Sequence, residues 1–395
     1  YRSSSDRPDA AGRSDDDLYV LYTGGTTGLP KGVVWRHEDV FFGCLTGGDP
    51  MRLQGPVGSP GELMERILPD DFTFTFYALA PLMHAAAQWV SLLWFLCGAR
   101  VVLHQGPFDA VEVWRTVERE HVSTLTVVGD AMARPLLDAW EAHGPFDTSG
   151  LFAFANGGAP MALTTRTRLQ ELMPGVAFTD GFGSSETGIQ GSQRLEPGQA
   201  VGTAVRFDNV TVGTRVLDDD DRPVVPGSGQ IGRVATSGHI PLRYHNAPDK
   251  TAEAFVEIDG VRHVVSGDMA RVEADGSIVL LGRGSVSINT GGEKVFPEEV
   301  EGVLRTHPSV FDAVVVGLPD DRWGQRVVAV VRVVDGQDAP TVDDLRAHCA
   351  EHLAGYKAPR QVVVVPEVER SPAGKADYRW ARTVAESATA AEPDR

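Results

Sequence analysis

"YTGGTTGLPKG", residues 22–32, places four glycines, three threonines and one lysine in eleven positions. Glycines let backbone N–H groups approach an anion closely. Thr23, Thr26 and Thr27 add hydroxyls, and Lys31 adds a mobile point charge. The composition is that of a phosphate-binding loop built around Gly24, Gly25 and Gly28. The usual nucleotide loop runs G-x-x-x-x-G-K-[ST] from a strand into a helix. Here Pro30 stands between Leu29 and Lys31, and Val33, Val34 and Trp35 favour a strand. "LYVLY", 18–22, also reads as a strand. The stretch therefore predicts a loop joining two strands. From these residues alone, a flexible Gly/Thr surface turn stays open as the other reading.

The bulk numbers bound the partners. The chain has 395 residues, room for two or three domains. Its 42% apolar and 23% charged content is ordinary for a soluble globular protein. With 36 basic against 54 acidic residues the formal charge is −18, which argues against nucleic acid. A phosphorylated ligand must then be held by local donors against the overall field. Cys44, Cys97 and Cys349 show neither a disulfide framework nor metal spacing, so a reduced, cytoplasmic setting is expected. The apolar run 79–103 is interrupted by His84, Gln88 and Ser91 and split at Gly98, which predicts a buried helix followed by a strand rather than a membrane span. No signal-peptide pattern is read. Residues 1–17 are expected to be a linker or a cut end, and 386–395 a frayed tail.

Along the chain, helix and strand patterns alternate. Ala110, Val113, Trp114 and Val117 recur at helical spacing, "VSTLTVV" reads as a strand, and Met132, Leu136, Leu137 and Trp140 form another helical stripe. "LFAFANGGAP" reads as a short buried strand ending in a glycine turn. In such α/β organisation ligands sit at the loops after strands. From about residue 199 valine-rich runs broken by "DDDDRP", "VPGSG" and "EADGS" predict β-hairpins. After "GRGS", 282–285, the remainder reads as a small α+β domain. It has a Pro297-started helix, the strands "VFDAVVVGL" and "RVVAVVRVV", and a threonine-capped helix "TVDDLRAHCAEHL".

The opening loop has company. "GFGSSETG" (181–188) follows "VAFTD", and "SGDMARVEADGSIVLLGR" spans 266–283. "INTGGEKVFPEEVE" (288–301), "YKAPRQVVVV" from 356 and "RSPAGK" ending at Lys375 complete the set. In this order and spacing the chain resembles the adenylate-forming superfamily of acyl-CoA synthetases, luciferases and peptide-synthetase adenylation domains, over residues 18–380. Within it, "GVVWRHEDVFFG" and "GRGSVSINTGGEKVFPEEVE" look most similar to bacterial fatty-acyl-CoA synthetases, in particular the actinobacterial branch acting on sterol side chains. The resemblance implies an α/β large domain at 18–284, with 199–284 a β-rich subdomain, and a small α+β domain at 285–385 across a hinge at Ser285. Relatives carry a substantial subdomain before the glycine loop, so the large domain is expected to be incomplete at its N-terminus.

It also implies a reaction. A carboxylate attacks the α-phosphorus of ATP to give acyl-AMP and pyrophosphate, and the thiol of coenzyme A then displaces AMP. The loop from Thr23 to Lys31 would take the outer phosphates, Glu186 a Mg²⁺ ion, and Ser185 the α-phosphate. Gly157, Gly158 and Ala159 would pass along the adenine, which Asp180, Gly181 and Phe182 frame, the ring by stacking and Asp180 by accepting from the amino group. Asp268 would accept the ribose hydroxyls with help from Arg283. His84 would lie beside the acyl pocket, although a satisfied histidine at a helix start fits it equally well. Lys375 would bridge the acyl carboxylate and the α-phosphate. Gly291 and Gly292 would line the pantetheine path after a domain rotation. Trp89, Val128, Gly129 and Gly157 are candidates for the acyl wall. Two alternatives stand beside the acyl-CoA ligase: an adenylation domain loading a carrier protein, and a non-catalytic ATP-binding remnant.

Overall fold

The structure is a computed structural model that describes residues 12–23, 30–51, 54–67, 69, 72–200, 205–370 and 375–391. Gly24, Gly25, Thr26, Thr27 and Gly28 lie outside the described residues. Leu18–Thr23 and Lys31–Arg36 are antiparallel strands with Thr23 opposite Lys31, so the glycine loop does join two strands. Arg243–Tyr244 adds to the far side of Lys31–Arg36 and completes a three-stranded sheet.

The central sheet has seven strands, in the order Arg100–Leu103, Thr75–Ala78, Thr124–Val127, Ala153–Gly157, Ala177–Ser184, Gly188–Leu195 and Asn209–Val210. The first five are parallel, and the last two turn back antiparallel. Side chains alternate across a strand. Leu125, Val127, Phe154 and Phe178 therefore share one face and pack against the helices Ala110–Glu120, Asp130–His143 and Leu163–Leu172. The Ala110–Glu120 helix starts where Asp109 accepts from the N–H groups of Val111 and Glu112. Its apolar stripe of Val113, Trp114 and Val117 is buried, each residue contributing about 1.5–3 kcal/mol. Trp114 also donates its indole N–H to the Leu136 carbonyl at 2.8 Å. Truncating it to alanine would cost about 3–5 kcal/mol. On the opposite face the same strands offer Thr124, Thr126, Ala153, Ala155 and Thr179, all small, to a large cavity.

Through the 181–188 motif the Ala177–Ser184 strand continues and turns in a tight hairpin into Gly188–Leu195, with the Ser184 N–H donating to Thr187 Oγ1. Gly188 has φ +69°, and a Cβ there would stand 2.3 Å from the Gly43 carbonyl oxygen. Only glycine permits that approach. Trp35, fully buried, donates its indole N–H to the Ser185 carbonyl at 3.1 Å, tying the glycine-loop hairpin to this second one.

The segment 214–283 forms a five-stranded antiparallel sheet, the hairpins expected from its valine-rich runs. Asp268 lies inside the Val261–Val272 strand, directly opposite Arg283. Beyond the Gly284–Val286 turn, a second five-stranded sheet is covered on one face by Pro297–Leu304 and Val342–Ala350, and on the other by Tyr378–Ala391. Thr341 and Asp344 make the capping box that starts Val342–Ala350. The expected fraying from 386 does not occur before Ala391: Ala381 and Ala385 are fully buried against the sheet, which holds the helix in place. Nor is the approach to the first strand loose at 14–17, where Asp16 pairs with Arg36 and the Asp17 carbonyl accepts from His37. No helix among the described residues is long and apolar enough to cross a membrane. The Ala85–Leu96 helix of the apolar run has 12 residues.

Candidate active site

The carboxyl ends of the parallel strands meet the two hairpins and the small sheet around one cavity of about 1230 Å³. That exceeds the roughly 300–1,000 Å³ usual for a single small ligand. Thr23, His84, Gly157, Gly158, Gly181 and Ser185 line it, and so does Lys375 from the other side of the Gly284–Val286 turn.

Lys375 lines the cavity and keeps contact with solvent. Partial desolvation and the neighbouring Arg283 push its ammonium below the usual lysine range, while the carboxylates of Glu186 and Asp268 pull it back up. Four expected residues thus share one electrostatic environment although they come from four separate segments. Arg283 and Asp268 are an ion pair at 3.3 Å, set by their cross-strand register. The loop carrying Lys375 is closed at its base by an antiparallel bridge between Arg370 and Ala376.

Glu186 sits at the tip of the 184–188 hairpin. Its Oε1 accepts from the Tyr244 hydroxyl at 3.1 Å, and the ammonium of Lys31 stands 5.0 Å from the Tyr244 ring centre. Burial and the Glu186 charge push the Tyr244 phenol above its ordinary range, so it stays a donor. Tyr244 was not anticipated. It belongs to a strand of two residues, too short for a periodic signal. Among the described residues no cluster of three or more His, Cys, Asp or Glu could hold a metal. A single hard carboxylate such as Glu186 suits Mg²⁺, which needs one or two carboxylates beside phosphate oxygens.

His84 precedes the Ala85–Leu96 helix and lines the cavity. Burial, then the Lys375 charge, lowers its pKa, and its buried Nε2 has no hydrogen-bond partner among the described residues. Of the expected acyl wall, Trp89, Val128 and Gly157 line the cavity and Gly129 does not. The backbone N–H of Gly129 is instead bonded to Asn156 Oδ1.

Two residues expected at the adenine have protein partners of their own. Asp180 is buried, its Oδ1 accepting from Arg166 at 2.5 Å and from Asn156 at 2.9 Å. A buried carboxylate needs such partners. Asn156 also reaches the Ala159 carbonyl, so it fixes the turn after Gly157 and Gly158. The Phe182 ring packs 4.5 Å from Phe207, among Val216, Val234 and Ala270. Gly181, Phe182 and Gly183 all line the cavity. Gly291 and Gly292 form the hairpin turn between Ile288–Thr290 and Glu293–Val295. Gly291 donates to the Trp323 carbonyl, and neither glycine lines the cavity.

Residues 2–243 match the family AMP-binding enzyme, and residues 299–375 match AMP-binding enzyme C-terminal domain. The chain belongs to the AMP-binding enzyme family. It is 46% identical over 386 residues to a 3-oxocholest-4-en-26-oate–CoA ligase of Rhodococcus rhodochrous, covering 96% of this chain and 68% of that protein. It is 47% identical over 383 residues to the medium-chain acyl-CoA ligase Mig of Mycobacterium avium, again covering 96% and 68%. The crystal structure of ATP-bound MatB from Rhodopseudomonas palustris superposes with a TM-score of 0.77 at 22% identity, over 95% of this chain and 70% of that one. At that identity the superposition speaks for the fold: a large α/β domain followed by a small C-terminal one. With relatives of this similarity, the protein is an AMP-forming acid–thiol ligase that uses ATP and coenzyme A.

Proposed function

We propose that the protein activates medium- to long-chain or sterol-derived carboxylic acids, adenylating them in the orientation seen here and transferring them to coenzyme A in another. The observation that supports this reading is Lys375, which lines the cavity and whose ammonium feels the charges of Arg283, Glu186 and Asp268. Its ammonium can contact a carboxylate and an α-phosphate oxygen together and neutralise the charge that builds as they join. Asp268, aligned by Arg283, accepts the ribose hydroxyls. Thr23, Lys31 and the loop between them hold the outer phosphates, and Ser185 faces the α-phosphate. Glu186, oriented by Tyr244, would hold Mg²⁺, which supplies charge neutralisation on phosphate oxygens when bound. The adenine is framed by the 157–159 and 181–183 backbones.

The acid lies along the small-residue floor. From Gly157 back to Ala153 the floor runs roughly 13 Å at about 3.3 Å per residue. It is overhung by Trp89 and Trp94, and the lining is mostly apolar. A long or fused-ring apolar acid fits such a surface. Pyrophosphate exchange and coenzyme A-dependent AMP release across a panel of carboxylic acids test the assignment. Long-chain and sterol side-chain acids should outrun acetate and benzoate. Preference for the short acids would refute the substrate class.

A further inference from the structure

The two sides of the cavity are joined away from the cavity as well. Asp130 opens the Asp130–His143 helix of the large sheet, and Arg305 ends the Pro297–Leu304 helix beyond the Gly284–Val286 turn. Their charged groups lie 3.6 Å apart, with side-chain exposures of 15% and 5%. Asp130 Oδ2 is also held by the Ala162 N–H at 2.9 Å, so the carboxylate is fixed from its own side. Arg305 in turn lies 3.8 Å from Asp312, and Asp312 is gripped by Arg370 through two bonds of 2.7 and 2.9 Å. Arg370 is the residue that bridges to Ala376 at the base of the Lys375 loop. Beside this run, Phe311 is sandwiched between Arg134 of the same large-domain helix and Arg332 of the small sheet.

We propose that Asp130 and Arg305 are positioning residues for the first half-reaction: a latch between the domains that holds the small one where Lys375 reaches the cavity. The proposal rests on the two-step ligase reading above. The attraction is one of charge. Arg305 Nε and Asp130 Oδ1 make no hydrogen bond among the described residues, and the 3.6 Å separation is that of an ion pair. The two opposite charges meet across the domain boundary only in this orientation, and their attraction favours it. From Asp130 the restraint passes through Arg305, Asp312 and Arg370 into the backbone that presents Lys375. Glu301, 3.9 Å from Arg305, keeps the guanidinium compensated within the small domain when Asp130 is absent. The latch can therefore open without stranding the cation.

The test separates the half-reactions. Asp130→Asn keeps an oxygen for the Ala162 N–H and loses the charge. Its kcat for acid-dependent pyrophosphate exchange should fall about 5- to 150-fold, the usual span of coupling between sites, with the KM for ATP unchanged. Given synthetic acyl-AMP and coenzyme A, it should form thioester at the wild-type rate. Asp130→Glu should restore exchange. Loss of both half-reactions in parallel, or wild-type behaviour in both, would overturn the latch. Should Asp130→Asn not fold, Arg134→Met, which removes the contact to Phe311, reads out the same split, and equal rates in both steps again refute the proposal. A wild-type protein that exchanges pyrophosphate with none of the acids overturns the ligase reading, and the latch falls with it.

Discussion

Tyr244 holds Glu186 by a 3.1 Å hydrogen bond from its hydroxyl to Oε1. The contact joins a two-residue strand of one sheet to the hairpin tip of another. A hydrogen bond to a charged group contributes about 1.5–3 kcal/mol, and here it fixes direction as well.

Tyr244→Phe keeps the ring that faces Lys31 and removes only the donor. Pyrophosphate exchange should fall about ten- to hundredfold, since each 1.4 kcal/mol is a factor of ten. The deficit should shrink as Mg²⁺ is raised. An exchange rate equal to wild type at low Mg²⁺ would show that Glu186 needs no orientation.

In the proposed mechanism Lys375 works as a cation, and desolvation with Arg283 nearby lowers its pKa from the ordinary lysine value of 10.5. Protonation is then lost at a lower pH than for a free lysine, so adenylation should show an alkaline limb below 10.5. Lys375→Arg should move that limb upward, because the guanidinium does not titrate there. Lys375→Ala should lose adenylation by about 10²–10³, by analogy with removal of one oxyanion donor. Thioester formation from acyl-AMP should be spared. A pH–rate profile of each half-reaction reads all three outcomes.

Glu298 packs against Gly282, where an added Cβ would overlap its carboxylate, and its Oε2 is buried. Burial first, then Glu301 and Asp268, raise its pKa from 4.5 to about 7. A carboxyl whose folded pKa is raised adds stability below pH 4.5, and that stability is lost as pH climbs through 7. The slope is at most about 1.4 kcal/mol per pH unit in that window. Glu298→Gln should flatten it. Denaturant unfolding at pH 5 and pH 8 measures the difference, and an unchanged slope in the variant would remove Glu298 as its source.

Ser285 lies in the short 3₁₀ turn Gly284–Val286 between the two sheets. Such turns hold φ near −50 to −70°, which proline shares. Ser285→Pro should therefore fix the present orientation, sparing adenylation and blocking thioester formation. Equal loss of both steps in a folded variant would place the hinge elsewhere.

Much of this was legible because it is periodic or local. The stripes Val113, Trp114, Val117 and Leu136, Leu137, Trp140 became the helices covering the sheet. The glycine loop did sit between strands, and "SGDMARVEADGSIVLLGR" did bring Asp268 to Arg283. What was hidden depends on partners far apart in the chain. That Asp180 has Arg166, on a preceding helix, as a buried partner is not written in its local sequence. Neither is the packing of Phe182 against Phe207. Ser266 and Gly267 before Asp268 have the composition of a turn, yet the glycine, at φ +79°, is absorbed within the strand. The final helix was misjudged because its alanines are polar-flanked and terminal, although alanine is the strongest helix former and the small sheet offers it a surface.

The alternation of the central strands has a further consequence. Phe154 and Phe178 belong to the core, while Ala153, Ala155 and Thr179, their immediate neighbours in sequence, floor the cavity. In the proposed binding mode, stability and substrate range are thus written on odd and even positions of the same few strands. A change at Ala155 would then alter the room given to the acid and leave the packing of Phe154 in place, as would a change at Thr179 for Phe178. An enzyme built this way can drift from one acid to another by single steps without passing through an unfolded intermediate sequence. The nucleotide-facing ends of the same strands stay fixed meanwhile.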